Sequence, residues 1–188
     1  MVRVIAGEFK SRRLRTLDGQ ATRPTADRLK ETLFNLLQAR VTESVFLDCF
    51  AGSGSVGIEA LSRGAAFVTF VEASPRAVQV IRQNLLLLGE AESSRCQILS
   101  QKIETGLKSL ARAGRKFDIV FLDPPYADVD QYPRVFDQLQ SCGLLEDKAL
   151  VVAEHSKFLA LPARVAHLER LREVRHGDSM LSIFQIQV

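Results

Sequence analysis

Asp123, Pro124, Pro125 and Tyr126 follow an apolar run, Phe117 to Leu122, that reads as a buried parallel strand. The carboxyl ends of such strands are where open α/β sheets bind ligands. There the four residues offer an acidic acceptor, a peptide carbonyl in a backbone stiffened by proline, and a flat stacking face. That group suits a planar base carrying an exocyclic amine. Taken alone, a strand closed by a Pro-Pro turn with Tyr126 covering the core also accounts for it.

A second constellation runs from Asp48 to Gly57 and contains Gly52-x-Gly54-x-x-Gly57. Glycines let the backbone approach a ligand, and Glu72, 20 residues beyond Gly52, stands where a carboxylate meets ribose hydroxyls. The spacing fits a dinucleotide or S-adenosylmethionine. Asp48 tilts the choice, because an acid before the turn repels a pyrophosphate and attracts the ammonium of a methionine moiety. A glycine-rich turn without a ligand is the plainer alternative.

The elements that must position these residues alternate from about residue 45 onward. Strands are expected at Val45–Cys49, Phe67–Glu72, Cys96–Ser100, Phe117–Leu122 and Ala149–Glu154. Helices are expected between them, at Ser55–Arg63, Pro75–Leu88, Glu104–Ala113 and Tyr132–Ser141. Upstream, Thr25 can cap a helix to about Gln38, with Leu29, Leu33, Phe34 and Leu37 on one face. Val2–Ala6 and Arg12–Thr16 suggest a small hairpin. Val165–Arg175 and Met180–Gln187 suggest another, turning at Gly177-Asp178. The expected fold is α/β: a Rossmann-like, seven-stranded, mainly parallel sheet with helices on both faces and a C-terminal antiparallel hairpin. A small N-terminal β-hairpin and helix precede it.

The chain has 188 residues, 46% of them apolar, and a net charge of +3, which suits one domain spanning 1–188. Residues 1–30 carry eight basic side chains against three acids, so this end is +5 and the remainder −2. Lys10, Arg12, Arg13, Arg15 and Arg23, in an arm spanning residues 1–24, are read as phosphate contacts in preference to a merely solvated arm. Cys49, Cys96 and Cys142 are too scattered for a disulfide framework or zinc site, and are expected to be buried thiols. His167 and His176 lack metal-ligand spacing, so no metal is expected. No apolar run is long enough for a membrane span, and a cytoplasmic protein is expected. Glu154-His155 is read as a satisfied polar pair shaping the pocket floor. Arg23 and Thr25 could close over the cofactor or, equally, form a helix cap with a solvated arginine.

Together these residues resemble the amino-methylating branch of the Rossmann-like methyltransferases, and more narrowly the bacterial 16S rRNA guanine-N(2)-methyltransferase family of the small ribosomal subunit. The resemblance is carried by Arg3-Val4-Ile5-Ala6-Gly7, by Thr22 to Arg28 with Glu31, Phe34 and Asn35, and by Leu47-Asp48 with Phe50 to Gly54. It continues through Glu59 to Ala65, Phe121 to Tyr126, Glu154-His155 and Gly177-Asp178. It implies S-adenosylmethionine as cofactor, S-adenosylhomocysteine as product and no metal. It also implies a cofactor site built from Thr25, Asp48, Phe50, Ala51, Gly52, Gly54, Glu72, Gln101 and Asp123. Gln101 stands where many relatives have Asp or Asn.

In this reading Asp123 and the Pro124 carbonyl accept the two N–H groups of guanine's 2-amino group, and Tyr126 stacks on the base. The implied partner is 16S rRNA within small-subunit assembly particles, with ribosomal proteins as possible contributors to specificity; the enzyme is expected to be a monomer. Adenine-N(6) methylation of DNA, or a non-catalytic nucleic-acid-binding module with this fold, are the competing readings.

Overall fold

The computed structural model describes residues 2–17, 24–125 and 130–187, with only the backbone described for residues 24–26. Arg23, Tyr126 and the Thr25 side chain therefore lie outside the described residues. A two-stranded antiparallel ribbon, β1 (Val2–Arg3) and β2 (Arg13–Leu14), precedes α1 (Pro24–Leu37). There follow β3 (Val45–Cys49), α2 (Ser55–Ser62), β4 (Phe67–Glu72), α3 (Pro75–Leu87), β5 (Cys96–Ser100) and α4 (Ile103–Arg112). β6 (Phe117–Leu122), α5 (Gln131–Ser141), β7 (Leu145–Ser156), β8 (Arg164–Val165), β9 (Leu168–His176) and β10 (Ser179–Ile186) complete the order.

The main sheet runs β5-β4-β3-β6-β7-β10-β9-β8, parallel from β5 to β7 and antiparallel beyond. It is the expected Rossmann-like architecture. The sheet has eight strands because a two-residue edge strand, β8, pairs with β9. The strand expected from Ala149 begins at Leu145, which pairs with Phe117 across a register shift. Side chains alternate between two cores: Phe46, Phe70, Ile119 and Phe121 pack with Leu33, Phe34, Ile58 and Ile81 on one face. Leu47, Val71, Val120 and Leu122 pack with Leu107, Phe136 and Leu139 on the other. A strand apolar on both faces loses its period-2 signature, which is why β3 and β6 read as continuous runs. Cys49 is buried, whereas Cys96 and Cys142 are half-buried. No helix among the described residues is long and apolar enough to cross a membrane.

The N-terminal ribbon is bolted to α2. Glu59, fully buried, accepts from the amides of Ile5 at 2.8 Å and Ala6 at 3.0 Å. The same carboxylate pairs with Lys30 at 3.4 Å and Arg63 at 2.8 Å. Lys30, counted within the basic cluster from sequence, is thus a buried counter-ion that also donates to the Arg3 carbonyl at 2.7 Å. Burial pushes its ammonium pKa down, against the opposing pull of Glu59. Gly7, at φ 84°, lies so close to α2 that a Cβ would fall 1.7 Å from the Ser62 carbonyl oxygen.

Glu59→Ala removes the acceptor for Lys30 and both amides. It is expected to destabilise the protein by about 3–5 kcal/mol in urea unfolding, the range for breaking a buried ion pair on one side. The N-terminal ribbon is expected to become the first site of limited proteolysis. A loss below about 1 kcal/mol, typical of an exposed pair, would contradict this anchoring role.

Candidate active site

The carboxyl ends of β3, β4, β5 and β6 border a cleft of about 670 Å³ lined by Asp48, Phe50, Ala51, Gly52, Glu72, Gln101, Asp123 and Pro124, among others. The cleft therefore collects most of the cofactor and catalytic residues expected from sequence. Gly54 instead lies just behind the loop surface, where a Cβ would come within 3.2 Å of Ile81.

The loop between β3 and α2 is shaped by the residues around it. Phe50, Gly52 and Gly54 all adopt positive φ, at 60°, 56° and 76°. A Cβ on Gly52 would find no atom nearer than 3.9 Å, so its backbone faces open space in the cleft. A Cβ on Gly57 would collide with the Phe70 ring at 2.3 Å, so this glycine seats α2 on β4. Glu72 holds the loop from the next strand, accepting from the Gly52 amide at 2.8 Å and the Ser74 amide at 2.7 Å. A carboxylate has about four acceptor positions, so capacity remains for ribose hydroxyls.

Asn84 is the residue the sequence reading missed. Fully buried on α3, it donates to the Ser53 carbonyl at 2.9 Å and exchanges two hydrogen bonds with the Arg15 backbone. It thereby locks the glycine loop and the basic arm together. Only its place on the inner face of a helix, and no motif, could have marked it.

Asp48 is 2% exposed and accepts from the Gly57 amide at 2.9 Å. It thus occupies a first-turn donor of α2, where a dinucleotide's pyrophosphate would otherwise sit. Burial pushes its carboxyl up to about 7, with the negative charges of Asp123 and Glu72 adding to the rise and the Gly57 hydrogen bond opposing it. Asp123 is crowded by protein, which raises its carboxyl to about 7, yet it stays exposed through the mouth of the cleft. Water entering there opposes the rise, and a ligand that displaces it removes the opposition. At the end of β7, burial raises Glu154 to about 8, helped by the charge on Asp123 and opposed by Ser179. A cleft edged by acids suits a cationic ligand and repels phosphate.

Gln101 reaches the cleft, but its Oε1 accepts from Ser109 at 3.2 Å, so part of its hydrogen-bonding capacity is already used. Lys10, Arg12, Arg13 and Arg15 are all exposed. Arg15 also donates to Gln83 at 3.2 Å, and two residues on Leu17 lines the cleft, so the arm leads from the basic turn to the cleft rim. Glu154 and His155 do not act as a pair. Alternation along β7 directs Glu154 to Ser179, and His155 to Ser182 at 2.9 Å on the opposite face.

A family model described as Conserved hypothetical protein 95 matches residues 2–185. The chain belongs to that family. It is 34% identical over 184 residues to ribosomal RNA small subunit methyltransferase D of Escherichia coli strain K12, covering 98% of this chain and 89% of the relative. The solved structure of yhhF from Escherichia coli, provisionally described as a methyltransferase, superimposes with a TM-score of 0.85 at 34% identity. That match covers 99% of this chain and 98% of the other. A provisionally described S-adenosylmethionine-dependent methyltransferase from Streptococcus mutans shares the fold alone, with a TM-score of 0.71 at 13% identity over 86% of this chain and 49% of its own. The family's fold is thus that of the class I methyltransferases.

An acid with a pKa raised in the folded state holds its proton more tightly there than when unfolded. Its contribution to stability is full below its unfolded pKa and is lost as pH rises through the folded one. For Asp48 this window runs from 3.8 to about 7, and the loss amounts to a few kcal/mol. Urea melts are expected to show stability falling as pH rises through it. Asp48→Asn, which can still accept from Gly57, is expected to flatten the fall; an unchanged slope would contradict the buried acid.

Proposed function

We propose that this chain is an S-adenosylmethionine-dependent methyltransferase acting on the exocyclic 2-amino group of a guanine in small-subunit ribosomal RNA. The observation that carries the reading is Asp123-Pro124 at the end of β6, facing the cleft bounded by the glycine loop and Glu72. The family relative that acts on small-subunit rRNA supports the substrate class. We read residues 1–188 as one catalytic domain and residues 1–24 as its RNA-facing arm.

The cleft's own features fit the cofactor. Gly52 leaves its backbone open to a ligand, Glu72 can receive ribose hydroxyls, and the acids around Asp48 favour a ligand bearing ammonium and sulfonium charges. Gln101 and Phe121 line the same cleft and offer polar and flat contacts to an adenine. When bound, S-adenosylmethionine supplies a methyl group already activated by its sulfonium.

The protein's task is to prepare the amine. Guanine's 2-amino lone pair is delocalised into the ring, so the group is planar and weakly nucleophilic. Asp123 and the Pro124 carbonyl accept its two N–H bonds, favour a pyramidal nitrogen and aim the lone pair at the methyl carbon. As the amine gains positive charge, these oxygens stabilise it more than they stabilise the neutral ground state. The proline-bounded backbone keeps the carbonyl in place.

Asp123→Ala is expected to lower turnover at least about 100-fold, the scale for losing a preorganised electrostatic contact, with cofactor affinity by calorimetry nearly intact. Substrate class is tested by offering labelled methyl donor with small subunits lacking the modification, naked rRNA and DNA, then identifying the labelled nucleoside. N(2)-methylguanosine from the subunits is the expected product. Label in adenine of DNA, or none anywhere despite tight cofactor binding, would overturn the reading.

A further inference from the structure

Asp123 and Glu154 are neighbouring acids that the mechanism above leaves half explained. β6 and β7 run parallel with Leu122 opposite Ala153, so extending the register by one residue sets Asp123 beside Glu154. Glu154 is fixed at this place. Its Oε1 accepts from Ser179 at 3.3 Å, and its backbone carbonyl accepts from the Tyr132 hydroxyl.

Among the described residues, the elements packed against Glu154 offer its charge no close counter-ion. β10 carries no ionisable side chain, and α5 contributes Tyr132, bonded to the Glu154 backbone, and the exposed Arg134 and Asp137. His155 turns to the opposite face, toward Ser182 and Glu173. β6 contributes Asp123. Among the described residues, no ion pair reaches either Asp123 or Glu154. Two crowded carboxyls without a cation do not both ionise readily at neutral pH, and retain a proton between them.

We propose that Glu154 is a positioning residue that carries the proton shared by this pair, leaving Asp123 an anion when the substrate amine arrives. The assignment of the reaction rests on the methyltransferase reading above; the proton sharing does not. Glu154 lies deeper than Asp123, away from the cleft mouth, so the neutral form is favoured there and the charged form at the wetter site. Burial raises both carboxyls, and the charge of Asp123 adds to the rise at Glu154.

The arrangement supplies both states that Asp123 needs. As an anion it accepts an N–H of the neutral amine. Methyl transfer would form the nitrogen–carbon bond as the donor's carbon–sulfur bond breaks, its electron pair staying on the sulfur as a neutral thioether; the nitrogen is then cationic, and it gives that N–H proton to an Asp123 oxygen while keeping the N–H bonding pair. The amine leaves neutral, and Asp123, now protonated beside a protonated Glu154, returns its proton to water as the cleft opens.

Two measurements test this. The first needs no substrate: carboxyl carbon NMR of protein labelled at Glu and Asp side chains is followed through pH 5 to about 9, a span covering acids raised by burial. Glu154 is expected to titrate last of the pair, and its pKa to fall in Asp123→Asn, where the neighbouring charge is gone. Titration of Glu154 at an ordinary carboxyl value, or no response to Asp123→Asn, would overturn the sharing. The second is the pH dependence of single-turnover methylation. The wild type is expected to lose rate on the acid side as Asp123 protonates, and on the alkaline side as Glu154 ionises. Glu154→Gln, permanently neutral, is expected to keep the acid limb and lose the alkaline one, whereas Glu154→Ala, which leaves Ser179 without this acceptor, lowers turnover at every pH. Superimposable profiles for wild type and Glu154→Gln, or a Glu154→Gln variant as inactive as Asp123→Ala, would overturn the role. Absence of methylation by the wild type would count against the methyltransferase reading alone, since the NMR titration stands independently.

Discussion

The hydrogen bond from the Gly57 amide to the Asp48 carboxylate decides what the cleft can hold. The start of a helix is ordinarily a binding place for anions, because its amides are unpaired and its dipole is positive there. In this protein a buried carboxylate from the preceding strand already takes one of those donors. The same glycine fits against Phe70 only because it lacks a Cβ, which lets α2 sit close on β4. On the proposed reading, a glycine pattern shared with dinucleotide-binding folds here serves a ligand without phosphate. The loop is then tied laterally by Glu72 from β4 and Asn84 from α3.

Much of this was legible because the signals are local. β3, β4 and β6 are buried on both faces and announce themselves as apolar runs, and the glycine turn and Asp123-Pro124 follow directly from their ends. The α1 stripe of Leu29, Leu33, Phe34 and Leu37 is buried as its spacing required. What was not legible depends on pairing across the sheet. The charged start of β7, Glu146 to Lys148, follows Leu145, which pairs with Phe117, and the two-residue β8 is set by its pairing with β9 and by Gln140 donating to the Val165 carbonyl. Lys30 counted only toward the charge of the first thirty residues, because nothing near it in sequence reveals Glu59. Glu154 was read with its sequence neighbour His155, whereas strand alternation separates those two and the sheet sets Glu154 beside Asp123.

The basic end of the chain is likewise more constrained than its composition suggests. Val4, Phe9 and Leu14 are buried, Glu59 and Ser62 take up the turn's amides, and Gly7 lies against α2 too closely for any side chain. Lys10, Arg12 and Arg13 therefore project from a surface fixed relative to the cleft. On the proposed reading this matters beyond affinity. Phosphate contacts at a fixed offset set the register of a nucleic acid, whereas the same charges on a loose tail would only raise its local concentration.

The two ends of the charge distribution then constrain how a substrate can enter. Asp48, Glu72 and Asp123 line the cleft where the parallel strands end, and the arm that carries the basic side chains reaches the rim at Leu17. Carboxylates that stabilise a cationic donor and an amine gaining positive charge also repel a phosphate backbone. On the proposed reading, an RNA strand held by the ribbon is thus kept out of the cleft along its length, and a base would reach Asp123 only if it is unpaired or turned away from its own phosphates. On that reading, the acidity that serves the chemistry would also select for an exposed nucleotide.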